Sequence, residues 1–429
     1  MVYDLAIVGA GPGGLHAAKW ANKKGLKVAV IEKRKDISKI TRYCSEHIIL
    51  DEDYNGDTIK VDTAAGKIMS TRNGWEVNYA GEFCPVTDKY YYSPKQYAVH
   101  FAWPDGRPFA YKYGKGTLLK GLLEECLALG VTYITETTAY DVTDSPSGVE
   151  LKCVSKAKKF KIQAKKLVIA DGASAQLAQK LGRNNERAYF GFALCLAVYM
   201  SNVETYKPSD WKGWWGRCYG TNLAPLMGTG PEGHFDLADM IILGSPKEPP
   251  EKTFEFFTQK GPMSFMFKNA KIETKHCCLT KAFTPIKNPA KGNTVIIGDA
   301  AAFVETQAQG ALSCGFRAAD ALAKELDGKP GFDEYNQWWL KAFEFNDEGM
   351  MRVVTGYALI PTYTDDEIDY LFSLCHGHTL DGSWSQYKSP KMMWDLILKD
   401  PEKIQRERPE VWEKINAKVT RTLSDSINK

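Results

Sequence analysis

Three glycines and an acid near the start of the chain are of the types and spacing that hold a dinucleotide. In YDLAIVGAGPGGLHAAKWANKKGLKVAVIEKR, Gly9, Gly11 and Gly14 form G-x-G-x-x-G, with Pro12 and Gly13 inside the string. Glu32 follows Gly14 by 18 residues and precedes Lys33. Gly9 permits a tight turn, Gly11 lets backbone approach a pyrophosphate, and Gly14 lets a helix pack close on a strand. The start of that helix offers unpaired N–H groups and partial positive charge to phosphates. Glu32 can accept hydrogen bonds from a ribose diol, which favours an adenosine ribose without a 2′-phosphate. A second candidate lies far along the chain. The stretch VIIGDAAAFVETQAQGALSCGFRAAD, Val295–Asp320, brings Asp299 to the end of an apolar run and follows it with a loop and a small-residue helix.

These groups need elements to position them. Leu5–Val8 and Val28–Ile31 read as buried strands, with a helix over His16–Asn22 between them. The order of strand, glycine loop, helix, strand and acid makes the first string specific. GTGPEG, Gly228–Gly233, fits the same string, but Pro225 precedes it, Pro231 interrupts it and strand-like HFDLADMIILG follows. It reads as a turn. One dinucleotide site is expected, with no separate NAD(P)H module. The first loop does not by itself distinguish NAD from FAD.

The Gly298–Asp299 stretch resembles that of flavoproteins of the p-hydroxybenzoate hydroxylase fold. Within them it is similar to the geranylgeranyl reductase family and its electron-transferring-flavoprotein dehydrogenase relatives. The resemblance implies FAD, with Asp299 against the ribityl chain and the helix start at Gln309, Gly310 and Ala311 facing the pyrimidine edge. RYCSEH, Arg42–His47, resembles the Cys-Gly segment that passes near the isoalloxazine in the reductases. GKGTLLKGLLEECLALGV resembles the helix that starts with an Arg on the FAD phosphates, a position held here by Lys115. LVIADGASAQLAQKLG resembles the Asp-Gly motif, with Asp171 and Gly172 retained. The chain departs from the family at Ser45, where Gly follows the Cys, at Ala175 and Gln179, where Ser and Arg are usual, and at Glu305–Thr306, where Asn-Pro is common. Substrate is therefore not carried over from any one relative.

The fold class implied is α/β. A Rossmann-type FAD-binding domain is expected from residues 1–50, 110–185 and 290–330. An antiparallel-sheet substrate domain (α+β) takes residues 51–109 and 186–289, and a helical region runs over 331–429. The hairpin SKAKKFKIQAKKLVIA carries Lys156, Lys158, Lys159, Lys161, Lys165 and Lys166, which read as a solvated face or as a docking patch for an acidic redox partner. WKGWWGRCYG, Trp211–Gly220, lines the cavity or forms a surface turn. Thr364 with Glu367 is a capping box, and Ser389–Pro390 a second helix start. CHGH, Cys375–His378, lacks further ligands and reads as helix-end residues. Val411, Ile415, Val419 and Leu423 form one apolar stripe.

Composition bounds the function. The 429 residues carry a formal charge of +3 and are 44% hydrophobic, so nucleic acid is not the expected partner. Ten cysteines without a C-x-x-C pair argue against an iron–sulfur cluster, a structural zinc site or a disulfide scaffold, and no metal is expected. Tyr189–Met200 is too short to span a bilayer and reads as a buried strand. No signal peptide or transmembrane segment is expected, and a thiol-reduced cytoplasmic setting, peripheral to a membrane or not, fits. The expected activity is an FAD-dependent reductase or dehydrogenase acting on carbon–carbon bonds of an isoprenoid-like or acyl substrate, with hydride leaving flavin N5. NAD(P)H or a reduced ferredoxin or flavoprotein would supply electrons. Cys44, Glu46, His47 and Glu305 are the candidates for proton work or polar positioning. Cys44 reads equally as a small filler and Glu305 equally as a solvated loop acid, while His47 reads first as a satisfied structural histidine and only second as a catalyst. The alternatives are an FAD monooxygenase and a flavoprotein carrier to quinone. His16 and Cys314 lie near the expected cofactor, with no spacing that argues for a covalent bond.

Overall fold

VYDLAIV is apolar enough to be covered on both faces, which is the mark of an inner parallel strand. Strand β1, Val2–Val8, indeed lies between Val28–Ile31 (β2) and the long strand Lys158–Ile169. Thr132–Ile134 extends the sheet beyond β2, and Thr294–Ile296 extends it beyond Ile169. The computed structural model describes residues 2–40, 42–347 and 359–417. Registers align the strand ends in one row: Val8 faces Ile31 and Ile169, and Ile169 faces Ile296. Whatever follows each strand therefore emerges along one edge. Those segments are Gly9, Glu32, Asp171 and Gly298–Asp299, the usual ligand edge of an open parallel sheet.

Helix α1, Pro12–Lys23, begins with Pro at its first turn, where the missing N–H costs nothing. It buries Ala17, Ala18 and Ala21. A second small-residue helix, Gln307–Leu326, crosses it with the backbones in contact. A Cβ on Gly315 would overlap Gly13 O and stand 2.9 Å from Ala17 N, and one on Gly13 would stand 2.8 Å from Ala311 O. Their starts are thereby pinned to the same row of strand ends.

The second sheet has eight strands in the order Lys271–Phe283, Tyr189–Ser201, Ala238–Gly244, Leu226–Thr229, Asp210–Trp214, Asp88–Tyr92, Ala98–Ala102 and Thr379–Leu380. Most neighbours are antiparallel, with parallel pairs at Asp210–Trp214 on Asp88–Tyr92 and at Thr379–Leu380 on Ala98–Ala102. GTGPEG leaves this sheet as a turn, with Gly230 N bonded to Leu237 O.

The division of the chain differs from the expected one. Residues 54–79, with the small sheet Ile59–Asp62, Lys67–Ser70 and Glu76–Asn78, bury Tyr54, Ile59, Ile68, Trp75 and Val77 in the nucleotide-binding core. Trp339, Phe343 and Phe345 join the same core, although they follow residue 330. Among the described residues, 359–417 forms a helical layer in which Ile368, Leu371, Phe372, Met393 and Val411 pack on Val99 and Phe101, while Tyr387 joins the nucleotide-binding core. Ile415 joins that layer, while Val419 and Leu423 lie outside the described residues. Thr364 and Glu367 form both halves of a capping box. The helix placed at Ser389–Pro390 starts at Lys388, because Ser385 Oγ accepts the N–H groups of Tyr387 and Lys388. Among the described residues no helix is long and apolar enough to cross a membrane.

Gly315→Ala should destabilise the fold by about 1–3 kcal/mol, because backbone on the opposing helix cannot yield. Gly121→Ala, whose Cβ would meet only Asn78 O at 3.7 Å in the helix Lys115–Ala128, should stabilise by roughly 0.5–1 kcal/mol. Denaturant unfolding of the two variants tests this opposite sign.

Candidate active site

One continuous cavity of about 800 Å³ runs from the row of strand ends to the second sheet. At the nucleotide end it is lined by Gly9, Gly11, Pro12, Gly13, Gly14, Glu32 and Lys33, with Asp171, Gly172, Gly298 and Asp299 across from them. Gly9 sits at φ +104, which only glycine adopts without strain, and donates to Ile31 O at 2.9 Å. A Cβ on Gly11 or Gly172 would meet nothing within 4 Å, so both present bare backbone to the cavity. Asp171 accepts from Leu177 N at 3.1 Å through one oxygen, while the other is buried without a partner. No side chain caps α1, leaving its first N–H groups open to a phosphate. This set of bare glycine backbone, open helix start and orphaned carboxylate oxygen fits the diphosphate and ribose portions of a dinucleotide.

Glu32 is oriented in advance. Its carboxylate accepts Ala10 N at 2.8 Å, Arg34 N at 2.8 Å and Arg34 Nε at 3.0 Å. Burial alone would raise its pKa, but these donors hold it below the ordinary carboxylate range, so it stays an anion and an acceptor.

Asp299 Oδ1 accepts Thr306 N at 3.0 Å and Thr306 Oγ1 at 3.3 Å, setting where the helix Gln307–Leu326 begins. Arg42 Nη1 stands 3.8 Å from its other oxygen. The loop is fixed from below by Arg187, which donates to Thr284 O, Ala300 O and Ala302 O at 2.6, 3.0 and 2.6 Å. The cavity at the helix start is lined by Gln307, Ala308 and Ala311, whereas Gln309 and Gly310 do not line it. Gly310 packs on Phe343 and Asn55, and both amide atoms of Gln309 are buried without a partner.

The Arg42–His47 segment closes the middle of the cavity. Tyr43 OH donates to Asp239 Oδ2 at 2.7 Å, and Lys112 Nζ donates to Ser45 O at 2.9 Å while standing 3.7 Å from Asp239. Cys44 lines the cavity, and burial pushes its thiol pKa up against the charge of Lys115, so it is held protonated. The lowered pKa that would make it a base is not what its surroundings produce. Glu46 faces a separate, smaller cavity and caps the helix Lys115–Ala128 by accepting Lys115 N at 3.0 Å. Lys115 lines the main cavity, and its pKa is raised, first by Cys44. Glu305 lines the main cavity and is exposed to water. Burial, then Asp299, push its pKa up to about 7 against Arg42 and Lys115. Its exposed face argues for a smaller shift, but filling the cavity removes that water, so the upward direction holds for the loaded protein.

The far end is aromatic. His47 stacks on Trp384 at 4.1 Å and meets Trp211 edge-on at 5.5 Å. Neither of its ring nitrogens has a hydrogen-bond partner, so it is not the satisfied structural histidine expected. Burial lowers its pKa well below the ordinary value and keeps it neutral. Trp215, Leu226, Ile241 and Leu243 continue the wall, while Trp214 points into another core. Lys89 is 2% exposed and also lines the cavity, donating to Ser389 Oγ at 2.5 Å with its Nζ 4.4 Å from the Phe101 ring centroid. Burial brings its pKa down to about 7, opposed by Asp51. Lys89, Arg187 and Trp384 belong to no sequence motif and are brought to the site only by the fold.

Other candidates lie elsewhere. His16 bonds Leu312 O at 2.7 Å and accepts from Trp20 Nε1 at 2.8 Å, and buried Cys314 likewise does not line the cavity. Within CHGH, His376 Nδ1 accepts Ala98 N. On the hairpin, Lys156, Lys161, Lys165 and Lys166 pair with Glu136, Glu150, Asp4 and Glu325. Asp299→Ala should weaken FAD retention by about tenfold, on the order of 1.4 kcal/mol. Titrating apoprotein with FAD by flavin fluorescence reads this directly.

Residues 3–195 match the pyridine nucleotide-disulphide oxidoreductase family. The digeranylgeranylglycerophospholipid reductase of Methanococcus vannielii is 22% identical over 387 residues, covering 86% of this chain and 89% of that one. The structure of a geranylgeranyl bacteriochlorophyll reductase-like protein from Thermoplasma acidophilum superposes with a TM-score of 0.70 at 19% identity, covering 96% of this chain and 98% of that one. A p-nitrophenol 4-monooxygenase from Pseudomonas putida shares the fold with a TM-score of 0.61 at 16% identity, covering 97% and 98%. This chain is an FAD-dependent oxidoreductase, similar along most of its length to digeranylgeranylglycerophospholipid reductases and in fold to a geranylgeranyl reductase-like protein.

Proposed function

We propose that this protein is a reductase that saturates carbon–carbon double bonds of an isoprenoid-like, lipid-like substrate. The continuous main cavity, polar at the glycine loop and aromatic at Trp211 and Trp384, carries the reading. The reductases it resembles in sequence act, by their names, on geranylgeranylated lipids. Bound FAD supplies hydride chemistry at N5. The remaining need is a proton for the second carbon, and two neutral acids face the cavity. Cys44 keeps its proton because its thiol is buried, and Glu305 keeps its proton up to about pH 7. Glu46 serves as a helix cap, and neutral His47 offers a hydrogen bond to a polar group of the substrate. Lys89 offers a charge-assisted contact at the same end. NAD(P)H, a reduced ferredoxin or another flavoprotein would deliver the electrons. A lipid-like substrate implies pick-up at a membrane surface.

The test is anaerobic. Reduced holoprotein mixed with a geranylgeranyl lipid should be reoxidised with formation of saturated product. Rapid reoxidation by oxygen with a hydroxylated product would replace this reading by a monooxygenase, and rapid transfer to quinone alone would replace it by an electron carrier. If Glu305 is the proton donor, its active form is the acid. Turnover then falls as pH rises through about 7. Glu305→Gln should lower the rate and remove that limb of the profile, and an unchanged profile would assign the proton to Cys44.

A further inference from the structure

Two cysteines that play no part in this chemistry face each other across the second sheet. Cys195 on Tyr189–Ser201 and Cys278 on Lys271–Phe283 are directly opposed in the antiparallel register. Side chains of a directly opposed pair share one face of the sheet, with Cβ atoms roughly 4.5–5.5 Å apart. Both residues line the main cavity, and both carry free thiols. Cys195 is buried and Cys278 half-buried. Their neighbours Leu196 and Cys277, also opposed, project to the other face, so Cys277 does not share the Cys195–Cys278 pairing.

The two thiols are chemically unlike. The neighbouring Cys195 thiol, with help from Arg42, lowers the pKa of Cys278. The Cys278 thiol and burial raise that of Cys195. The opposed directions favour the thiolate at Cys278 and the proton at Cys195, the division of labour that suits thiol–disulfide chemistry. Arg42, which stabilises Cys278, also stands 3.8 Å from Asp299 at the flavin end of the cavity.

We propose that Cys195 and Cys278 form a redox-active dithiol that exchanges an electron pair with the bound FAD. In the forward direction the Cys278 thiolate and the Cys195 thiol lose two electrons and one proton, and an S–S bond forms between the two sulfurs. Oxidised FAD takes up the electron pair and that proton. The reverse step cleaves the S–S bond at the expense of reduced FAD and restores thiolate and thiol. The pair thus stores two electrons beside the flavin. The exchange needs FAD in the cavity but not the isoprenoid substrate, so it stands or falls separately from the reading above.

Anaerobic reductive titration tests it on the full-length holoprotein, first oxidised with diamide and freed of reagent. Wild type should consume about four electrons per FAD from dithionite, and Cys278→Ser and Cys195→Ser about two each. Peptide mapping of the oxidised protein should show a Cys195–Cys278 link, and the count of free thiols should rise by about two on reduction. FAD content checks the fold of each variant, and the wild-type measurements decide the matter even if a variant fails to fold. Uptake of two electrons by wild type, with no such link, overturns the proposal. A Cys195–Cys278 link accompanied by uptake of only two electrons also overturns it, because the disulfide would then not communicate with the flavin. A link confined to Cys277–Cys278 counts against it as well.

Discussion

The site depends on one close approach. Helix α1 and the helix Gln307–Leu326 touch backbone to backbone because Gly13 and Gly315 have no side chains at the crossing. That contact sets both helix starts against the same row of strand ends, although nearly three hundred residues of chain separate them. An added methyl at the crossing would spread the two starts apart, and groups that bind opposite portions of one long ligand would lose their spacing. Packing density transmits such a change efficiently, since neither backbone can yield.

Around this fixed point the cavity changes character along its length. Its nucleotide end is bare backbone and oriented carboxylate, with Glu32 held anionic by Arg34 and Ala10. Its middle is closed by a short segment tied down through Tyr43, Asp239 and Lys112. Burial brings Asp239 up to about 6, against the opposing charge of Lys112. Its far end is made of rings from three distant segments. Polarity thus falls from the nucleotide end to the aromatic end, where Lys89 remains as a polar contact, as a ligand with a charged nucleotide and a largely apolar companion requires.

Much of the nucleotide end is legible in the chain because its signals are local. A glycine string between two strands needs no tertiary information, nor does the capping box at Thr364. The helix start near Gln309 is harder to read, because which residues of its first turn face the cavity depends on its rotation against Phe343 and Asn55. The phase is set by packing: Ala311 faces inward as expected, but Gln307 and Ala308 join it in place of Gln309 and Gly310. Lys89 is illegible for a different reason. A lysine among tyrosines in DKYYY looks like an edge-strand charge, and only its neighbours Trp211 and Phe101 in the sheet make it buried. Cys195 and Cys278 are more than eighty positions apart, and only strand register makes them partners. The same reason moves residues 54–79 into the nucleotide core: their apolar positions say that they are buried, not against what.

The eight-stranded sheet has one end covered by the short strand Thr379–Leu380 and the other formed by Lys271–Phe283, 13 residues long and open along its outer side. An open strand of that length is a template for pairing with another chain, and such pairing starts aggregation. Lys271, Glu273, Lys275 and Lys281 punctuate it with charge, so a second molecule adding there would have to desolvate them. The charged border keeps a wall of the cavity from becoming the seed of a precipitate.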